Sequence, residues 1–173
     1  RTLSKKSNLI LLKIKGITQN KEEFKSSIFG TIYQESDSSK IDRNFLNHVA
    51  FKKTTSKKIE DLIFSTKIAK HLKSNAIVLS NNKQTVGLGM GQTSRIESLK
   101  IAINKSKKNF KNKTFVCVSD GFFPFIDSLK LLKKNKCTVV AQAFGSKNDK
   151  KMITFCNENQ ISLYFLKNRL FKH

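Results

Sequence analysis

The stretch "NAIVLSNNKQTVGLGMGQTSRIESLKIAI", residues 75–103, decides the fold. "NAIVLS" (75–80) and "QTVGLGM" (84–90) are short apolar runs around Asn81-Asn82, the pattern of a β-hairpin. Gly87, Gly89 and Gly91 lead out of the second run. Ser94-x-x-Glu97 then has the form of a capping box, in which each side chain satisfies a free N–H at the start of a helix. The helix it opens places Ile96, Leu99, Ala102 and Ile103 on one face. One segment therefore carries a hairpin and a capped amphipathic helix.

Upstream, Ile59, Leu62, Ile63, Thr66, Ala69 and Leu72 recur at helical spacing and predict a helix over 57–72. Downstream, the pattern predicts strand 114–118, helix 126–134, strand 137–142, helix 147–157 and strand 161–165. Ser146-x-x-Asp149 has the capping-box form again. This alternation predicts a layered α/β fold with a largely parallel sheet. Strands are also expected at 8–15, 26–33 and 48–53, with a polar loop over 34–44.

The 173 residues suffice for one domain with a real core, or for two small ones. With 38% hydrophobic and 27% charged residues the chain is expected to be globular and soluble. No apolar run approaches the roughly 20 residues that span a bilayer, and no signal peptide is legible. The chain starts at Arg1, as expected of a fragment or a processed piece. Cys117, Cys137 and Cys156 are widely spaced among apolar neighbours, which fits buried thiols in a reducing compartment. Without a CxxC or a paired histidine motif, no zinc site is expected.

The formal net charge is +22, from 30 Lys, 4 Arg and 12 acidic residues. Dedicated nucleic-acid readers lean on arginine for its planar fork. Lysines scattered through a chain also rich in Asn read instead as AT-rich coding bias on solvated faces. A basic nucleic-acid-binding module on a deaminase-like fold is the alternative. In either case a positive field favours anionic small substrates.

Four places could carry chemistry. The Gly87–Gly91 stretch could be plain turn geometry or a ligand cradle, and the dinucleotide fingerprint fails at Gln92. Arg95 opposes the helix dipole, so a ligand or a buried carboxylate is expected beside it. Asn75 fits a helix C-cap, and Lys70-His71 fits a solvated polar face. In "SDGFFPFIDSLK", residues 119–130, the phenylalanines could form a plug. They could equally form an aromatic shelf for a flat heterocycle, flanked by Asp120 and Asp127. Pro124 and Asp127 suit a helix start. Arg169 and His173 lie near the terminus, but Leu170 and Phe171 suggest that the tail docks.

Taken together, "KSNAIVL", "TVGLGMGQTSRIES", "SDGFFPF-D" and the terminal "NRLFKH" resemble the C-terminal part of AICAR transformylase. That is the formyltransferase half of the bifunctional purine biosynthesis enzyme that also carries IMP cyclohydrolase. The resemblance is strong over 48–173 and thinner over 1–47, read as the tail end of a preceding subdomain or as connecting strands. It implies a cytidine-deaminase-like α/β/α fold without zinc, a cytoplasmic homodimer with sites between subunits, and no membrane or specific nucleic-acid partner. It also implies formyl transfer from the co-substrate 10-formyltetrahydrofolate to AICAR, giving FAICAR.

Carried over position by position, Asn75 lies beside the reacting groups, as a supporting catalytic and AICAR-binding residue. Arg95, Phe122 and Arg169 bind AICAR, Arg169 near its phosphate. Ile96, Asp127, Ser146 and Lys147 lie on the folate side, Asp127 pairing with the pterin and Gly145 sharing the bordering loop. Potassium is associated with this region, near Asp120. Ala143-Phe144 departs from the family's loop sequence. The family's catalytic Lys-His pair lies in an upstream stretch, and Lys70-His71 is not its counterpart. The chain alone is therefore expected to turn over little substrate.

Overall fold

The computed structural model describes residues 8–16, 21–110 and 114–172. Arg1 and His173 lie outside them. The chain divides into two compact units, Arg1–Ser39 and Lys40–His173. The second unit thus begins upstream of residue 48, where the resemblance becomes strong.

In the first unit, β1 (Glu22–Ser27) pairs antiparallel with β2 (Gly30–Glu35). The single strand expected over 26–33 is instead the closed end of a hairpin, with the turn at residues 28–29. Gly30, at φ +127°, allows the reversal, because a side chain is strained in that conformation. Phe24 packs against Tyr33 across the pair in a tilted arrangement, ring centroids 5.3 Å apart, and the Tyr33 hydroxyl donates to Glu22 at 2.9 Å. The strand expected over 8–15 does not form: residues 9–16 carry no strand and are exposed. Alternation alone does not make a strand, which needs a partner for its backbone N–H and C=O groups.

The second unit is a six-stranded mixed sheet in the order β3-β8-β7-β6-β4-β5. Its strands are β3 (Leu46–His48), β4 (Ile77–Asn81), β5 (Gln84–Gly89), β6 (Val116–Ser119), β7 (Val139–Ala143) and β8 (Ser162–Leu166). Its helices are α1 (Ser56–Ala69), α2 (Arg95–Asn109), α3 (Asp127–Lys134) and α4 (Asp149–Glu158). The expectation of an α/β fold holds, but the sheet is not largely parallel. Only β6-β7 and β7-β8 are parallel; β3-β8, β4-β6 and β4-β5 are antiparallel. A two-residue hairpin forces β4 and β5 to run oppositely, whereas α3 and α4 are crossovers long enough for parallel neighbours.

Side chains alternate across the sheet, so successive strand residues enter opposite cores. Ile77, Leu79, Cys117, Val140 and Leu163 pack with Leu99, Leu129, Leu132 and Met152 from α2, α3 and α4. Val78, Val116, Val118, Ala141 and Tyr164 pack with Ile59, Leu62 and Ala69 from α1. Among the described residues one helix covers one face and three cover the other. No helix among the described residues is long and apolar enough to cross a membrane. All three cysteines are free and buried. Burial pushes the Cys117 thiol well up, and those of Cys137 and Cys156 to about 12.

Local signals were met with shifts. The strand expected over 48–53 ends at His48, with one further sheet bond from Val49 N–H to the Leu163 carbonyl at 3.0 Å. Ser94 caps α2 by accepting from Glu97 N–H at 3.4 Å, while the Glu97 carboxylate takes Lys100 at 2.7 Å. At α4 the carboxylate does the capping: Asp149 Oδ2 accepts from Gly145 N–H at 2.8 Å and Ser146 N–H at 3.1 Å.

The β4-β5 turn falls on Asn82-Lys83, at φ 53° and 55°, one residue beyond its expected place. Both residues lie in the left-handed region, which suits hairpin twist but not a side chain. Asp61, 1% exposed on α1, compensates by accepting from Lys83 N–H at 2.8 Å. Asp61→Ala is expected to cost about 2–3 kcal/mol by removing a charged acceptor from this turn. Urea unfolding of the variant measures the loss, and a change within about 0.5 kcal/mol, typical of surface positions, would contradict it.

Candidate functional site

The carboxyl ends of β6, β7 and β8 lie at one edge of the sheet. Because β4 runs opposite to β6, its entry at Asn75-Ala76 lies at that edge too, with Ile77 facing Ser119. β5 ends there as well, with Gly89 facing Ile77, and feeds the start of α2. All four motif stretches therefore reach one edge, outside the strand ends where open α/β sheets bind ligands.

At its centre is Asp120, just past β6 and fully buried. Its Oδ1 accepts from Arg95 Nη2 at 3.2 Å, and its Oδ2 accepts from the Ser74 hydroxyl. The buried carboxylate expected beside Arg95 is that of Asp120. The Arg95 side chain is 14% exposed, and its Nε has no hydrogen-bond acceptor among the described residues.

Asp120 also organises the chain around it. Its N–H donates to the Ala76 carbonyl at 3.1 Å, and its carbonyl accepts from Leu170 N–H at 2.9 Å. Ser74 N–H donates to the Lys172 carbonyl at 2.9 Å, and Lys172 N–H donates to Ser74 Oγ at 3.3 Å. With Leu170 buried, the tail docks as its apolar residues suggested. Docking places Arg169 Cζ 5.3 Å from the Phe122 ring centroid. Phe171 lies 5.3 Å from Arg95 Cζ and 5.8 Å from Arg169 Cζ.

Gly121 makes room for this arrangement. A Cβ on it would sit 2.1 Å from Arg95 Nη2 and 2.7 Å from Phe171 Cε1.

Asn75 is not the helix C-cap that its sequence context allows. Helix α1 ends at Ala69 with Lys70 at the cap, and Asn75 stands beyond, after a cis Ser74-Asn75 peptide bond. Its amide donates to the Gln92 carbonyl at 2.9 Å, and its carbonyl accepts from Ser98 Oγ at 2.6 Å. Asn75 therefore ties the entry of β4 to the loop and first turn of α2. His71 is exposed, as a solvated face requires.

Gly87 and Gly89 are not turn residues. Both lie inside β5, where the backbone of α2 presses on them: a Cβ would lie 2.1 Å from the Ala102 oxygen and 1.8 Å from the Ser98 oxygen. Gly91 alone makes the turn, at φ +65°.

The phenylalanines divide. Phe123 is fully buried as a plug, its N–H donating to Gln142 Oε1 at 3.1 Å, whereas Phe125 is 65% exposed. Phe125 and Ile126, just before α3, line an open groove with Lys150, Lys151 and Phe155 of α4. None of Asn75, Arg95, Phe122 or Arg169 lines it.

Of the residues placed on the folate side, Ile96 is half-buried against the core. Asp127 is exposed in the first turn of α3, its Oδ1 accepting from Ser128 N–H at 2.8 Å. Ser146 is half-buried and Lys147 exposed. Gly145, at φ +99°, approaches Arg169, since a Cβ on it would lie 3.7 Å from Nη2. Ser74, Gly121 and Gln142 had no distinctive signal of their own in the sequence.

The family model described as the AICARFT/IMPCHase bienzyme matches residues 1–105. The bifunctional purine biosynthesis protein PurH of Aquifex aeolicus is 40% identical over 174 residues, covering 100% of this chain and 34% of that protein. The chain belongs to the AICARFT/IMPCHase bienzyme family. PurH of Buchnera aphidicola is 42% identical over 177 residues, with 100% and 34% covered. PurH of Fusobacterium nucleatum is 39% identical over 171 residues, with 99% and 34% covered. The chain thus spans about a third of the length of these relatives. The family match includes residues 1–47, where the four motifs offered little.

Proposed function

We propose that this chain is the C-terminal part of a folate-dependent formyltransferase of purine biosynthesis, with a cytidine-deaminase-like fold. The enzyme moves formyl from 10-formyltetrahydrofolate to the 5-amino group of AICAR, giving FAICAR. It works as a cytoplasmic homodimer with sites between subunits. The observation that carries the reading is the meeting of Asn75, Arg95, Phe122 and Arg169 at one sheet edge. They come from four separate motif stretches of a chain that belongs to this family.

In this reading Phe122 packs on the nucleotide's heterocycle and Arg169 takes its phosphate. Arg95, fixed by Asp120, holds the carboxamide end. Ile96, Asp127, Ser146 and Lys147 take the folate, the Asp127 carboxylate accepting from the pterin's amino and ring N–H groups.

The AICAR amine attacks the formyl carbon, the bond from that carbon to folate N10 breaks, and N10 receives a proton. An aromatic amine conjugated to a carboxamide is a poor nucleophile, so a positioned base must take its proton. Donors must also meet the formyl oxygen as it gains charge. In this reading Asn75 orients the formyl group. The principal base comes from the family's Lys-His pair, outside these residues, so the chain alone turns over little.

The resemblance also associates potassium with this edge. Ser74 and Asp120 offer oxygen donors, the type a hard cation takes, and are the residues that would hold it. Once bound, it would share with Arg95 the neutralisation of the buried carboxylate.

Calorimetry with AICAR and a folate analogue tests the reading, with Arg169→Ala in the native protein as the sharpest variant. Losing a charged phosphate contact is expected to weaken AICAR about 10- to 100-fold. Unchanged affinity would remove Arg169 from the phosphate site. Full formyl-transfer activity from these 173 residues alone would refute the external base.

A further inference from the structure

Phe171 lies against two cations. Its ring centroid lies 5.3 Å from Arg95 Cζ and 5.8 Å from Arg169 Cζ, while Arg169 also faces Phe122 at 5.3 Å. Two guanidinium groups sharing one small site repel each other. An aromatic ring within reach of both offers a negative π-face, and arginine stacks on such faces readily. The ring is itself held on both sides in sequence: Leu170 N–H donates to the Asp120 carbonyl at 2.9 Å, and the Lys172 carbonyl accepts from Ser74 N–H at 2.9 Å. Gly121 leaves the slot that the ring edge and Arg95 share.

We propose that Phe171 is a positioning residue. Its ring spaces and orients the Arg95 and Arg169 guanidinium groups, so that both are set before an anionic nucleotide arrives. It touches no substrate itself and acts through the two arginines. As a statement about substrate binding it rests on the proposed function; as a statement about the two arginines it does not.

The test compares Phe171→Leu, which keeps apolar bulk, with Phe171→Tyr, which keeps the ring, both in the native protein. Loss of the ring is expected to raise the AICAR Kd about 10-fold, while Phe171→Tyr stays within about threefold of the parent. Affinity for a folate analogue is expected to hold in both variants. The Arg95 and Arg169 Nε–H resonances, assigned with Arg→Lys variants, report the ring independently of any ligand. Both are expected upfield in the parent and in Phe171→Tyr, and to return downfield in Phe171→Leu.

Unchanged arginine resonances in Phe171→Leu would overturn the proposal. So would equal loss of AICAR binding in the Leu and Tyr variants, which would mean that the tail and not the ring matters. A parent protein that binds no AICAR would refute the formyltransferase reading, and the resonances would still decide the role of Phe171.

Discussion

Asp120→Ala is expected to lower the unfolding free energy by about 3–5 kcal/mol, the range for removing one partner of a buried ion pair. Asp120 is fully buried, and Arg95 is 14% exposed, so water cannot readily replace the lost carboxylate. Alanine would leave the Arg95 charge desolvated and the Ser74 hydroxyl without its acceptor. Urea unfolding reads the loss directly. Thermal unfolding should show roughly 2–4 °C per kcal/mol for a chain of this size. Removing both charges, as in Asp120→Ala with Arg95→Leu, should recover part of the loss, because the cost lies in the charge left behind. A double variant less stable than Asp120→Ala alone would refute that account, and a single variant within about 0.5 kcal/mol of the parent would refute the buried pair as a stabilising feature.

Gly89→Ala is expected to cost about 3 kcal/mol, the upper part of the usual range for overpacking. The added Cβ would lie 1.8 Å from the Ser98 oxygen, 2.6 Å from its carbonyl carbon and 2.9 Å from its Cα. These are backbone atoms of α2, which no rotamer change can move aside. Helix α2 would have to lift from β5, loosening Leu99 and Ala102 in the core and the first turn that carries Arg95. Gly91→Ala is the control: its surroundings are open, but φ +65° makes a side chain unfavourable there by about 1 kcal/mol. Equal losses at the two glycines would mean that conformation, and not helix contact, explains Gly89. Near-UV circular dichroism of Gly89→Ala should show loosened aromatic packing if the helix has lifted.

Much of the second unit was legible from local chemistry. Four helices and the strands from β4 to β8 follow hydrophobic periodicity, and Ser94 caps α2, because backbone hydrogen bonding and side-chain spacing act within a few residues. The opposition between Arg95 and the helix dipole also named a real partner, since an unfavourable local charge demands compensation. The family resemblance placed four distant stretches in one site before any geometry was known.

Strand direction was not legible in the same way. Alternating strands and helices look alike whether β4 runs parallel or antiparallel to β6, and only the hydrogen-bond ladders choose. The stretch 8–15 failed for the same reason, because a pattern of apolar residues does not supply a partner strand.

The sequence by itself determined the periodic elements, the capped start of α2 and the set of motif residues. Only the tertiary structure decided that Gly87 and Gly89 are bare because a helix backbone rests on them. It alone decided that Arg95 answers to Asp120, and that Phe171 lies against two arginines. Capping and periodicity are carried by neighbours in the chain. The Arg95–Asp120 and Arg95–Phe171 contacts join residues 25 or more positions apart, and the energies of all these contacts depend on distances that exist only once the chain has closed on itself.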